Sequence, residues 1–169
     1  LKLNYDWCDV SDLLNVVTMN LKRELSNHKI KINMPTELPL IKIDFVLIEQ
    51  AIANILLNAA QYTPAGTTLT LGAYAEAKNI VITVDDEGPG FSQEALKHVF
   101  EKFYRAPGTT SGGTGLGLSI TRGFIEAHGG SVSVDNRPTG GAHFVIRLPV
   151  SEIPMAPIEP VPPSTDTTV

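Results

Sequence analysis

A single cysteine, Cys8, stands among the 169 residues. One thiol excludes an internal disulfide framework, and with no paired Cys or His spacing around it a zinc site is excluded as well. A reducing compartment is the expectation, with no redox chemistry. Basic residues are also scarce. Thirteen Lys and Arg against eighteen Asp and Glu leave a net charge of −5, the wrong sign for a protein that neutralises a phosphate backbone, so nucleic acid is not an expected partner. Apolar runs are a few residues long, far below the roughly 20 needed to cross a bilayer. The first residues lack the basic start and apolar core of a leader. A soluble chain without a targeting signal or direct membrane contact is therefore predicted. It opens at Leu1 rather than Met, and a piece of a longer protein is expected. What is present is 43% hydrophobic, enough for one core, and shows no internal repeat.

The apolar spacing orders most of the chain. Val10, Leu13, Leu14, Val17, Leu21 and Leu25 recur every three or four residues, predicting an amphipathic helix capped by Asp9 or Ser11. Alternation at Ile30, Ile32 and Met34, then Leu40 to Ile43, predicts two short strands. A second helix is predicted from Asp44 to Tyr62, because Phe45, Ile48, Ile52, Ile55, Leu56 and Ala59 share one face. Leu69, Leu71 and Ala73, a Lys78-Asn79 turn and Ile80 to Val84 read as a hairpin. Ser92 caps a short helix through Phe100, and the Gly, Thr and Ser content of residues 104 to 115 reads as a mobile loop. A third long helix is predicted from Gly115 to His128, stopped by Gly129-Gly130. Ser131 to Asp135 and Ala142 to Leu148 form a closing hairpin. Five of twelve prolines fall in residues 151–169, which read as a disordered linker or terminus. The expected organisation is one domain over residues 1–150 and this Pro-rich tail. Its fold class is α+β, a two-layer α/β sandwich with a mixed, largely antiparallel sheet covered on one face by three helices.

Three segments set glycine or amide chemistry at element ends. Asn54 and Asn58 lie four apart and share a face of the second helix. Such a pair is usually solvated, yet a carboxamide oxygen also suits Mg²⁺, which takes few protein ligands. Asp85-Asp86-Glu87-Gly88-Pro89-Gly90 follows a strand. Gly-Pro-Gly is an ordinary turn signal, but a carboxylate fixed there can accept a hydrogen bond from an exocyclic amine such as that of adenine. Gly112-Gly113-Thr114-Gly115-Leu116-Gly117-Leu118 opens the third helix, where backbone N–H groups and the helix dipole attract an anion. No Gly-Lys-Ser/Thr follows, so this is not a Walker loop, and its spacing differs from the dinucleotide fingerprint.

With Phe100-Glu101-Lys102-Phe103-Tyr104-Arg105 between the second and third segments, their order resembles the N, G1, F and G2 boxes of sensor histidine kinases. The resemblance is to the ATP-binding domain of that family, runs from about Trp7 to Val150, and implies the Bergerat-type version of the sandwich. Asn136-Arg137-Pro138 with Gly140-Gly141-Ala142, and the Trp7 segment, look most like the potassium-responsive KdpD sensors. The family implies that Asn58 binds Mg²⁺, Asn54 helps hold phosphate or metal, and Asp86 receives the adenine amino group. It places Tyr62 against the adenine ring, and Gly88 and Gly90 where the base approaches. Gly113, Thr114, Gly115, Leu116, Gly117 and Leu118 would hold the phosphates. Residues 91–114 would form an ATP lid anchored by Phe100 and Phe103, with Lys102 and Arg105 as its cations. The cofactors implied are ATP and Mg²⁺.

The departures are specific. Many relatives carry an acid just before the second Asn and a Lys three residues after it; here these are Leu57 and Gln61. Ala142 stands where many have Thr. No catalytic residue is assigned. His28, His98, His128 and His143 are followed by Lys29, Val99, Gly129 and Phe144, so none matches a phosphoacceptor, and all four read as surface, cap or strand residues. The resemblance implies donation of the γ-phosphate to a histidine on a dimerisation domain, of the same or a partner subunit, and relay to a response regulator. It also implies a cytoplasmic domain of an inner-membrane sensor. Two rival functions remain: a nucleotide-binding regulatory module without phosphotransfer, and an ATP-gated dimerisation clamp of the gyrase and chaperone type.

Overall fold

Residues 1–105 and 117–150 are described in the computed structural model of this chain. Its axis is helix α2, Phe45–Tyr62. The Asp44 side chain caps it by accepting the Leu47 N–H, and Ile48, Ala51, Ile52, Ile55, Leu56 and Ala59 bury one stripe. At the other end the Thr63 hydroxyl donates to the Ala59 carbonyl, 2.7 Å away, and Pro64 follows.

Around α2 the order is β1 Asp6–Cys8, α1 Val10–Asn20, β2 Lys29–Asn33, β3 Ile41–Ile43, then β4 Thr68–Glu76, β5 Asn79–Asp85, α3 Gln93–His98, α4 Gly117–Ala127, β6 Ser131–Asn136 and β7 Ala142–Pro149. Five strands form one sheet in the order β2-β4-β5-β7-β6. Every pairing in it is antiparallel except β2 with β4. The connection between those two is a crossover that includes α2, which is how a mostly antiparallel sheet acquires one parallel pair. Strand β7 shows the two-sided character directly: Ala142, Phe144, Ile146 and Leu148 are buried on one face, in the core shared with residues of α1, α2 and α4. The expected two-layer sandwich and both hairpins are present.

Three expectations change. Helix α1 stops at Asn20 rather than Leu25. The Thr18 hydroxyl bonds back to the Leu14 and Asn15 carbonyls, a pattern that loosens a helix. Leu25 still reaches the core through turns. Strand β3 pairs not with its sequence neighbour β2 but with β1, a three-residue strand whose brevity hides it from periodicity. His128 is buried rather than superficial. Its Nδ1 donates to the Phe124 carbonyl, its Nε2 accepts the Asp44 N–H, and its ring meets Tyr5 edge-on at 5.7 Å. The loop expected over 104–115, the start of the third helix before Gly117 and the tail over 151–169 lie wholly or partly outside the described residues.

Burial and the neighbouring Asp9 and Asp12 carboxylates push the Cys8 thiol up to about 11, so it stays protonated and unreactive near neutral pH. At α3, Ser92 caps the Ala95 N–H, and His98 is flanked by Glu101 at 2.8 Å and Glu94 at 3.0 Å. Both hydrogen bonds favour the imidazolium and raise His98 above 6.5. A raised folded-state value makes this contribution fully present below the ordinary histidine pKa and removes it as pH climbs through the folded one. Proton NMR of the histidine ring is expected to show a midpoint above 6.5. In the E94Q/E101Q double variant the midpoint falls back; an unmoved midpoint contradicts the geometry.

Candidate functional site

A cleft lies between α2, α3, the start of α4 and the loop after β5. Its larger lobe encloses about 530 Å³, bounded by Tyr62, Thr63, Asp86, Gly90, Phe91 and Ala142 among others. The second lobe, about 350 Å³, is lined by Asn54, Leu57, Gln61 and Gly117. Asn58, Tyr62, Val99, Tyr104, Arg105 and Leu118 line both, so the lobes are contiguous. The volumes fall in the range of small-molecule sites.

Asp86 closes the larger lobe. It is 7% exposed, and its Oδ1 accepts the Gly88 N–H at 3.0 Å and the Ala142 N–H at 2.9 Å. Two backbone donors satisfy one oxygen and keep the carboxylate in place. Oδ2 has no protein partner among the described residues. Gly88 is required by close approach: a Cβ there would lie 2.7 Å from Thr63 Cγ2 and 3.3 Å from Asp86 Oδ1. Thr63 is in turn held by His28 at 2.8 Å. Gly90 lines the larger lobe.

On the α2 wall, Asn54 and Asn58 are half-buried, not solvated as an isolated pair on a helix face would be. Asn54 Nδ2 donates to the Gly117 carbonyl at 3.2 Å, which fixes the first residue of α4 beside the second lobe. One turn further, the Thr121 hydroxyl donates to the Ala51 carbonyl. Asn58 lines both lobes, as does Tyr62.

Of the cations, Arg105 lines both lobes, whereas Lys102 is exposed and lines neither. Phe100 packs edge-on against Phe144 at 6.3 Å. Phe103 is 70% exposed and carries a positive φ of 64°. Gly113, Thr114, Gly115 and Leu116 lie outside the described residues; Gly117 and Leu118 line the cleft. Among the described residues no cluster of three His, Cys, Asp or Glu could cage a metal. His143 is paired with Asp85.

The site also uses residues that motif reading assigned no role in it: Thr63, and Arg137, whose Nη1 donates to the Asp86 carbonyl at 2.7 Å. Thr63 gave no signal beyond ending a helix. The Gly140-Gly141 pair beside Arg137 was the available clue to a close backbone approach.

The chain is similar to known proteins in sequence and fold. The family described as histidine kinase-, DNA gyrase B- and HSP90-like ATPases matches residues 43–152. The sensor protein KdpD of Clostridium acetobutylicum is 34% identical over 143 residues, which are 83% of this chain and 16% of that protein. The chain thus spans a small part of that relative. Full-length ShkA, solved in complex with AMPPNP, has a TM-score of 0.80 at 28% identity, covering 90% of this chain and 32% of that one. The histidine kinase ThkA, solved in complex with the response regulator protein TrrA, shares the fold with a TM-score of 0.74 at 23% identity, over 87% of this chain and 42% of that one. Among the described residues no helix is long and apolar enough to cross a membrane. Since the match takes in α2 with its two asparagines, the Asp86 loop and the start of α4, the chain belongs to the histidine kinase-, DNA gyrase B- and HSP90-like ATPase family.

Proposed function

We propose that this chain is the ATP-binding catalytic domain of a sensor histidine kinase, taking the purine in the larger lobe and the triphosphate in the second. The observation that carries the reading is the buried Asp86 carboxylate, with Oδ1 committed to backbone and Oδ2 open. It faces the same cleft as Asn58 and Gly117. An acceptor-only carboxylate favours a base that presents an amino group and disfavours one that presents a carbonyl. Tyr62 offers a flat apolar face to the ring. The second lobe supplies the Asn54 and Asn58 amides, the N-terminal end of α4 and Arg105, a polar and electropositive surface suited to phosphates.

The donor set also fits Mg²⁺: one amide oxygen, from Asn58, matches an ion that keeps several waters and completes its shell with phosphate oxygens. When bound, that ion neutralises charge on the triphosphate. The chain's own contribution is to hold the base at Asp86, order the phosphates along α2 and α4, and exclude water from the larger lobe with Phe91 and Val99. In the proposed reaction the γ-phosphoryl group passes to a ring nitrogen of a histidine on a dimerisation domain of the same or a partner subunit, leaving ADP. From there it passes to a response-regulator aspartate. Positioning and electrostatics carry the step. A cytoplasmic setting and a membrane-bound, potassium-responsive parent belong to the same proposal, supported by the likeness to KdpD.

A second reading, nucleotide binding without transfer, is favoured by Leu57, 37% exposed beside the second lobe, and by Gln61 there. Neither offers the carboxylate or ammonium many relatives place at those positions.

Two measurements test these readings. By calorimetry with Mg²⁺, the chain is expected to bind ATP between micromolar and millimolar, about 4 to 8 kcal/mol, and to prefer it to inosine triphosphate, which lacks the amino group. D86N, which turns an acceptor into a mixed amide, is expected to abolish that preference and weaken ATP by at least about tenfold; an unchanged preference refutes the base assignment. For transfer, the chain alone is expected to incorporate no radioactive phosphate from γ-labelled ATP. Fused behind a dimerisation helix pair bearing a histidine followed by an acid, it is expected to label that histidine. Sustained absence of label with ATP bound selects the regulatory reading.

A further inference from the structure

Asp86 sits against the corner between β6 and β7, and that corner grips the cleft loop at both of its ends. At the far end, Asn136 forms a two-way bridge to Phe91: the Phe91 N–H donates to Asn136 Oδ1 at 2.8 Å, and Asn136 Nδ2 donates to the Phe91 carbonyl at 2.7 Å. At the near end, both main-chain polar groups of Asp86 are bonded to the corner. Its N–H donates to the Ala142 carbonyl, and its own carbonyl accepts from Arg137 Nη1 at 2.7 Å. The corner closes on itself through Arg137 N–H to Gly141 O at 2.8 Å and Gly140 N–H to Arg137 O at 3.0 Å. Gly141, at φ +94°, is the residue that permits the contact, because a Cβ there would overlap the Asp86 carbonyl.

The choice of acceptor is the informative feature. A guanidinium next to a carboxylate ordinarily forms a bidentate ion pair, which would consume both oxygens. Here Arg137 takes the main-chain carbonyl and makes no ion pair with the Asp86 carboxylate. The guanidinium is therefore committed to the Asp86 peptide carbonyl, which it ties to the corner, while Oδ2 keeps its lone pairs. Arg137 is half-buried, so the bond is partly shielded from water.

We propose that Arg137 is a positioning residue for base selection, which anchors the Asp86 peptide so that the carboxylate presents Oδ2 to an exocyclic amine. This rests on Asp86 being the base partner. Asn136, which holds the other end of the loop, sets the cleft wall without setting the carboxylate.

The two asparagine and arginine roles separate in the ratio of ATP to inosine triphosphate affinity, measured by calorimetry on the whole chain with the fold checked by circular dichroism. R137A is expected to weaken ATP by about tenfold, the scale of one charge-assisted hydrogen bond, and leave inosine triphosphate nearly unchanged. R137K, which keeps a cationic donor, is expected to restore most of the ratio. N136A is expected to weaken both nucleotides alike, with the ratio intact. A folded R137A with the wild-type ratio overturns the proposal, and so does an N136A that lowers the ratio as much as R137A. If R137A does not fold, R137Q is read by the same ratio with the same consequence. Failure of D86N to abolish the preference refutes the base assignment instead, a distinct result from either.

Discussion

The site depends on a buried carboxylate that is only half satisfied by protein. Burying a charged acid is costly unless it is hydrogen-bonded, and two backbone N–H groups, from Gly88 and Ala142, meet that cost at a single oxygen. The remaining oxygen is thereby left as a fixed, oriented acceptor. Such a group cannot turn to suit a different ligand, because its peptide is held on one side by the β6–β7 corner and its loop is closed against Thr63 on the other. In the proposed function, rigidity at this one atom is what would let the site tell an amino from a carbonyl group.

The opposite wall is built with the same economy. Helices α2 and α4 are joined at three levels: Asp44 with His128 at one end, Ala51 with Thr121 in the middle, and Asn54 with Gly117 beside the cleft. The first two bonds are buried, and the third brings the start of α4 to the polar lobe. Because Asp44 also caps α2 and accepts the Asn4 N–H, the N-terminal segment is tied into the same frame. The cleft-lining end of α4 is therefore placed by hydrogen bonds to α2 at three levels.

Much of this was legible in the sequence where the governing contacts are local. The stripe of α2, its start near Asp44, both hairpins and the cap at Ser92 follow from spacing and side-chain chemistry within a few residues. The asparagine pair and Asp86 stood out through their motif context and do face one cleft. What stayed hidden depends on partners far along the chain. β1 is three residues long and pairs 33 or more positions away. His128 gains its burial from Asp44 and Tyr5. Arg137 and Thr63 acquire their roles only when the β6–β7 corner and the end of α2 meet the Asp86 loop. Phe103, which the family resemblance makes a lid anchor, is 70% exposed at a positive φ.

The most direct test of the account is a crystal structure of the chain with a non-hydrolysable ATP analogue and Mg²⁺. The account predicts the adenine amino group within hydrogen-bonding distance of Asp86 Oδ2, about 3 Å, with the phosphates running past Asn58 toward Gly117. A base bound elsewhere, or an Asp86 carboxylate turned away from it, would contradict the account.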